Sequence, residues 1–116
     1  MVFHVALFRP RSDLSVADRL GLVEALEAAL RCIPSVRRFH VGRRIRHGAG
    51  YEALMPVEFE FGAVLEFDDL AGLQAYLAHD VHVALGSRFM RSLDSSAIYD
   101  YQMLGRDDLL RLAQRG

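Results

Sequence analysis

Tyr76, His79 and His82 stand three residues apart inside Ala75–Gly86, a stretch that otherwise reads as an apolar helix. An imidazole titrates near neutral pH, with a reference pKa of about 6.5, and so gives or takes a proton under physiological conditions. A phenol beside it donates or accepts a hydrogen bond as charge moves on a substrate oxygen. These residues are the chain's strongest candidates for acid–base chemistry. On a straight helix of about 3.6 residues per turn, six residues turn Tyr76 away from His82 by roughly 240°. The two converge only if the helix breaks between them, and Asp80 marks the expected break. His79 lies one turn from each. It reads as a structural hydrogen-bonding residue at the helix end or as a further contact to a bound molecule.

His4 shares strand parity with Ala6 and Phe8, which projects it between a sheet and its covering helices as a pocket residue or a core histidine. His40 and His47 are expected on the surface. His4, His79 and His82 offer three possible metal ligands, but no carboxylate or cysteine joins them in a recognisable spacing, so no metal is assigned. The chain has no Gly-rich phosphate loop, nucleophile elbow or redox Cys pair, and no cofactor is assigned either. Phe8, Leu26, Leu85, Phe89 and Ile98 suit an apolar small molecule instead.

A chain of 116 residues fits one domain, assigned to residues 1–116, with a core of useful size. Its net charge of −1 argues against non-specific binding to nucleic acid or an anionic membrane. All 14 basic residues are arginine, which reads as genomic composition rather than mechanism. The lone Cys32 excludes an internal disulfide and suits a reducing cytoplasm. Its place at the apolar end of a helical pattern predicts a buried structural thiol. No apolar run approaches the roughly 20 residues of a membrane span. Met1–Val5 lacks the charged start and long apolar stretch of a signal peptide and reads as a first strand.

The elements that must position the candidates follow from periodicity. Val2–Phe8 is a short buried strand bounded by Arg9-Pro10-Arg11-Ser12. Ser15, with Asp18 three residues on, opens a helix whose apolar residues are Val16, Leu20, Val23, Leu26, Leu30 and Ile33, and Pro34 ends it. Val36–Arg43 alternates weakly as a second strand, with Gly42 as a possible bulge. Arg44–Pro56 reads as a loop with one helical turn. Val57–Phe67 is a long strand with Phe59, Phe61, Ala63, Leu65 and Phe67 on one face. Asp68-Asp69 starts a helical region through Leu70, Leu73, Tyr76 and Leu77, continuing past the break through Leu85, Phe89 and Leu93. Ser96–Leu104 is a fourth strand, and Arg106–Arg115 a terminal helix with Asp107 and Arg111 at a favourable spacing of four.

The order is strand, helix, strand, strand, helix, strand, which is the α+β ferredoxin-like βαββαβ pattern with a C-terminal helix. Helices cover one sheet face. The first strand carries apolar residues on both parities, so the other face needs a partner, and a homodimer packed sheet to sheet is expected.

The segments His4-Val5-Ala6-Leu7-Phe8-Arg9, Val41-Gly42-Arg43, Ala63–Phe67, Tyr76–Val83 and Tyr99-Asp100-Tyr101 resemble the stress-responsive A/B-barrel (Dabb) family over about residues 2–102. The resemblance implies a dimeric α+β barrel of ferredoxin-like halves. The family includes cyclases that close linear polyketides by aldol condensation, and the likeness places Tyr76 and His82 at their catalytic positions and His4 in the pocket wall. A polar pocket position of those enzymes is Phe61 here, and the usual proline after the first helical histidine is Asp80. In such a fold the fourth strand runs near the helices, so Asp100 is expected to orient His82, or else to cap a backbone amide.

Three functions remain open at this level. The first is a cofactor-free cyclase or lyase in which His82 removes a proton alpha to a carbonyl, Tyr76 steadies the enolate and Asp100 orients the base. The second is a non-catalytic stress-response or ligand-binding dimer. The third and weakest is a cofactor-free monooxygenase.

Overall fold

The computed structural model describes residues 1–114. Its elements are β1 (Val2–Pro10), α1 (Val16–Cys32), β2 (Arg38–Arg43), β3 (Phe61–Phe67), α2 (Leu70–Ala78), α3 (Asp80–Ser92) and β4 (Leu93–Gln102), with 3-10 turns at Gly50–Leu54 and Arg106–Ala113. The strands form one antiparallel sheet in the order β2-β3-β1-β4. With the helices on one face, this is the ferredoxin-like α+β fold. No helix among the described residues is long and apolar enough to cross a membrane.

Strand alternation sorts the side chains. His4, Ala6 and Phe8 of β1 face the helices beside Leu65, Ala63 and Phe61 of β3 and Asp100, Ile98 and Ser96 of β4, which are their direct cross-strand partners. Phe67 and Leu65 are the largest fully buried side chains, each contributing about 1.5–3 kcal/mol by burial. Phe3, Val5 and Leu7 face outward with Val64, Tyr99 and Tyr101. Tyr99 and Tyr101 are 57% and 50% exposed, so the outer face carries uncovered aromatic surface.

The helix starts follow local chemistry. Ser15 accepts a hydrogen bond from the Asp18 N–H at 3.1 Å and caps α1, and Asp69 accepts from the Gly72 N–H at 2.9 Å and caps α2. On α1 the core-facing residues are Leu22, Leu26, Ala29 and Leu30. Val16, Leu20 and Val23 are exposed instead of buried. The second half of the expected stripe, Leu26, Leu30 and Ile33, packs on the core while its first turns stay exposed, and α1 lies against α3. Gly21 leaves the room that the Arg88 guanidinium of α3 fills.

Several boundaries differ from expectation. β2 begins at Arg38 rather than Val36, because the Val36 N–H turns back to the Ile33 carbonyl at 3.3 Å and its side chain packs on the core. Gly42 makes no bulge, since the β2–β3 register runs through it unbroken. β3 starts at Phe61 rather than Val57: Glu58 binds Arg44 and Arg46, and Glu60 binds Arg19 at 2.9 Å, which ties this stretch to the preceding loop and to α1. β4 runs from Leu93 to Gln102 and not from Ser96 to Leu104. Cys32 is exposed, not buried, because it is the last residue of α1 and Ile33, 2% exposed, takes the core position. The C-terminal element is a 3-10 helix over Arg106–Ala113, with Arg115 of the expected helix outside the described residues. At about three residues per turn, Asp107 and Arg111 diverge, and they form no ion pair among the described residues.

Candidate active site

The helical region breaks at His79, one residue before Asp80. His79 has extended backbone (φ −67°, ψ 139°) and serves both as the end of α2 and as the cap of α3, its Nδ1 accepting from the Val81 N–H at 3.1 Å. The break cancels the rotation of a straight helix. It brings the rings of Tyr76 and His82 to a centroid separation of 4.5 Å. Tyr76 also packs against Phe67 at 5.3 Å and meets His4 edge-on at 5.7 Å, so the phenol ring neighbours two imidazoles.

These three residues line a cavity of about 460 Å³ between the sheet and the helices. Phe8, Leu26 and Leu85 form apolar wall, as do Phe89 and Ile98. Phe8 is fixed by Phe61 at 5.7 Å and Phe89 at 5.2 Å. The size and lining suit a mainly apolar small molecule. Asp94, Ser95 and Ser96 at the start of β4 also line it, and Arg9 holds Asp94 at 3.0 Å. Sequence reasoning missed these residues. The alternation of β4 carried a signal for Ser96, which shares the parity of Ile98 and Asp100, but the strand was expected to start only there.

The electrostatics separate the two candidate groups. Tyr76 is 3% exposed and its hydroxyl makes no hydrogen bond among the described residues. Burial pushes its pKa up to about 12, which keeps it a donor at neutral pH. His82 is half-buried and is held below the usual histidine range, first by burial and then by the nearby His4, against a raising effect of the Leu77 carbonyl. That carbonyl lies 3.2 Å from Nδ1 and can only accept, so Nδ1 carries the proton and Nε2 is the basic nitrogen.

The expected Asp100–His82 pair does not form. Asp100 Oδ1 lies 2.6 Å from His4 Nδ1 instead, because antiparallel register makes the two residues direct neighbours on β4 and β1. His82 is oriented by the α2 backbone rather than by a carboxylate. His79 does not line the cavity, since its ring is engaged in capping α3. Among the described residues no group of three His, Cys, Asp or Glu has metal-holding geometry.

A larger cavity of about 840 Å³ lies on the opposite face of the sheet, under the Arg44–Val57 segment. Its polar groups serve the segment itself. Glu52 accepts from the backbone N–H groups of His47 and Gly48, His47 bonds the Tyr51 hydroxyl at 3.0 Å, and Gly48 turns the chain at φ +89°. His40 is paired with Glu66 at 3.2 Å. The smaller cavity, with its buried phenol and half-buried imidazole, is therefore the candidate site.

The family model described as a stress responsive A/B barrel domain matches residues 2–103. No curated protein matches the chain. Among solved structures, a Dabb family protein with a ferredoxin-like fold from Mesorhizobium loti aligns with TM-score 0.71 at 23% identity, over 90% of this chain and 97% of that one. A dimeric protein of unknown function and ferredoxin-like fold from Bacteroides fragilis aligns with TM-score 0.63 at 27% identity, over 88% and 95%. The hydroxynitrile lyase of Passiflora edulis shares the fold with TM-score 0.72 at 13% identity, over 89% and 93%.

Proposed function

From the premise that the chain belongs to the stress responsive A/B barrel domain family, we propose that it acts as a cofactor-independent cyclase or lyase on an apolar, carbonyl-bearing small molecule. His82 Nε2 takes a proton alpha to the carbonyl, the C–H electron pair moves onto the carbonyl oxygen, and the Tyr76 hydroxyl donates to the enolate oxygen so formed. The observation that carries this reading is the 4.5 Å approach of Tyr76 and His82 on the wall of the cavity. Their environments support the division of labour, because the lowered pKa of His82 favours a neutral base and the raised pKa of Tyr76 favours a protonated donor.

The test uses nonan-2-one, a methyl ketone with an apolar tail. Deuterium incorporation at its alpha carbons in D₂O, followed by NMR, is expected to run faster with the protein than in buffer. His82→Gln should lower that rate by about 10²-fold or more. Exchange at the buffer rate with the wild-type protein defeats the enzymatic reading. One observation favours a second reading, a carrier or binding protein: Phe8, held by Phe61 and Phe89, gives the cavity a mainly apolar wall together with Leu26, Leu85 and Ile98. Saturable binding of nonan-2-one without exchange is its signature.

We also propose that two copies pair through their outer sheet faces. The uncovered Tyr99 and Tyr101 support this, as does the dimeric ferredoxin-like relative from Bacteroides fragilis. Sedimentation at micromolar concentration should give twice the mass of 13.1 kDa, and a monomer mass refutes the pairing.

A further inference from the structure

The cavity of Tyr76 and His82 has a second polar end, which the reaction proposed above leaves unused. β4 bulges there. Arg9 pairs with Ser95 and Pro10 with Leu93, so Asp94 is the extra residue and stands outside the ladder. Asp94 and Ser96 both line the cavity. Arg9 holds the Asp94 carboxylate at 3.0 Å, which balances its charge. Ser96, cross-strand from Phe8, shares the parity of Ile98 and Asp100, and its hydroxyl has no partner among the described residues. This end therefore offers a carboxylate that accepts and a hydroxyl that donates or accepts.

Two walls give the distance between the ends. On the sheet, His4 and Phe8 mark them, because Asp100 and Ser96 are their cross-strand partners; from His4 to Phe8 is about 13 Å at ~3.3 Å per residue. On the helices, α3 runs from His82 to Met90, which is about 12 Å at ~1.5 Å per residue. Ala6, Leu85 and Phe89 line the interval and are apolar.

We propose that the ligand of this cavity is polar at both ends, with a carbonyl at Tyr76 and His82, an apolar body, and a neutral hydroxyl between Asp94 and Ser96, which are the specificity-determining residues. This rests on the reading of Tyr76 and His82 as the carbonyl site. A hydroxyl donates to Asp94 and accepts from Ser96 at once. A carboxylate only accepts and would face Asp94, whereas an ammonium only donates and would compete with Arg9. A methyl end would displace the water on these groups and restore none of its hydrogen bonds. The length also fits: eight bonds from carbonyl carbon to hydroxyl oxygen, at about 1.2 Å each, span ~10 Å, and a hydrogen bond of about 2.8 Å completes the span. Arg9 keeps a buried Nε without a partner among the described residues, so an anionic end is the competing occupant to be tested.

The experiment measures the affinities of three ligands by titration calorimetry: 9-hydroxynonan-2-one, nonan-2-one and 8-oxononanoate, which share the methyl ketone and the chain length. Wild-type protein should bind the hydroxyketone at least about threefold tighter than nonan-2-one and about tenfold tighter than the carboxylate. Ser96→Ala should reverse the first preference, and Asp94→Asn should raise carboxylate affinity at least about threefold by removing the like charge. Each preference is a ratio within one protein, so loss of folded material cancels. Tightest wild-type binding of nonan-2-one overturns the proposal, and tightest binding of 8-oxononanoate overturns it in favour of an anion on Arg9. An unchanged hydroxyl preference in Ser96→Ala removes the role of Ser96, and an unchanged carboxylate affinity in Asp94→Asn removes that of Asp94. Alpha exchange at the buffer rate with the hydroxyl preference intact defeats the base at the other end and leaves this one standing. A protein that binds none of the three overturns both.

Discussion

Replacing Tyr76 with Phe separates what this residue does for the fold from what it does for the cavity. The ring keeps its three neighbours, His82 at 4.5 Å, Phe67 at 5.3 Å and His4 at 5.7 Å. Only the hydroxyl goes, and it bonds to nothing among the described residues. Its oxygen is not one of the buried side-chain atoms left without a partner among the described residues, so it reaches solvent through the cavity, and a hydroxyl that water can satisfy there is destabilising by at most about 1 kcal/mol. Tyr76→Phe should therefore leave stability unchanged or raise it by up to about 1 kcal/mol, a rise of roughly 3–6 °C in Tm for a chain of this size. Alpha exchange with nonan-2-one should fall by about 10²–10³-fold, the usual effect of deleting an oxyanion donor. The same substitution removes an alkaline transition. The folded phenol has a pKa of about 12 against 10.0 for the free group, so between those values the folded state binds more protons than the unfolded one. Wild-type stability then falls as pH rises from about 10 to 12, by about 3 kcal/mol in all, and the Phe variant should lack this loss. Thermal melts from pH 8 to 12 together with the exchange assay measure all three quantities. A variant that melts well below wild type, or that exchanges at the wild-type rate, refutes the assignment of the hydroxyl to the cavity.

The pKa of His82 lies below its unfolded value of about 6.5. The exchange rate should therefore rise with pH through a midpoint below 6.5, and His82's contribution to stability should be lost as pH falls through 6.5, because there the unfolded state binds the extra proton. A midpoint at or above 6.5 contradicts the burial argument. His79→Ala removes the acceptor of the Val81 N–H and should lower stability by about 0.5–2 kcal/mol in urea unfolding, with exchange falling as the Tyr76–His82 geometry loosens. Leu65→Ala, at a site 1% exposed, should lower stability by about 2–5 kcal/mol, and a change below 1 kcal/mol would show that the core is not centred on β3.

Much of the architecture was legible because its signals are local. A short apolar run marked β1 and alternation marked the inner half of β3, Ser15 and Asp68-Asp69 marked helix starts, and the geometry of Tyr76 and His82 demanded a break, expected at Asp80 and made one residue earlier at His79. What was not legible depends on partners distant in sequence. Periodicity on α1 marked Leu26, Leu30 and Ile33, which do pack on the core, but it also marked Val16, Leu20 and Val23, which stay exposed, and it left out Leu22 and Ala29, which are buried. Asp100 was recognised as unusual within an apolar strand, yet its partner follows from the β1–β4 register, which a two-residue slip would have changed. His82 needed no carboxylate because the end of α2 supplies a carbonyl five residues back, an interaction that exists only once the helix has broken. Glu58 and Glu60 extended the apparent β3 pattern because alternation cannot distinguish a ladder from a loop pinned by arginines.

The strand β1 separates two cavities with nothing but its own thickness. Ala6 lines the cavity of Tyr76 and His82, and Leu7, the next residue, lines the one beneath Arg44–Val57. A saturation scan along this strand should therefore read as a comb. Even-numbered positions 4, 6 and 8 would register in catalysis and ligand binding, odd-numbered positions 3, 5 and 7 in assembly and in tolerance of the overlying segment. The two phenotypes would interleave at every step and mix at none. Natural variation could then remodel one face freely while the other stays fixed, which offers one route by which relatives with the same fold come to differ in what they do.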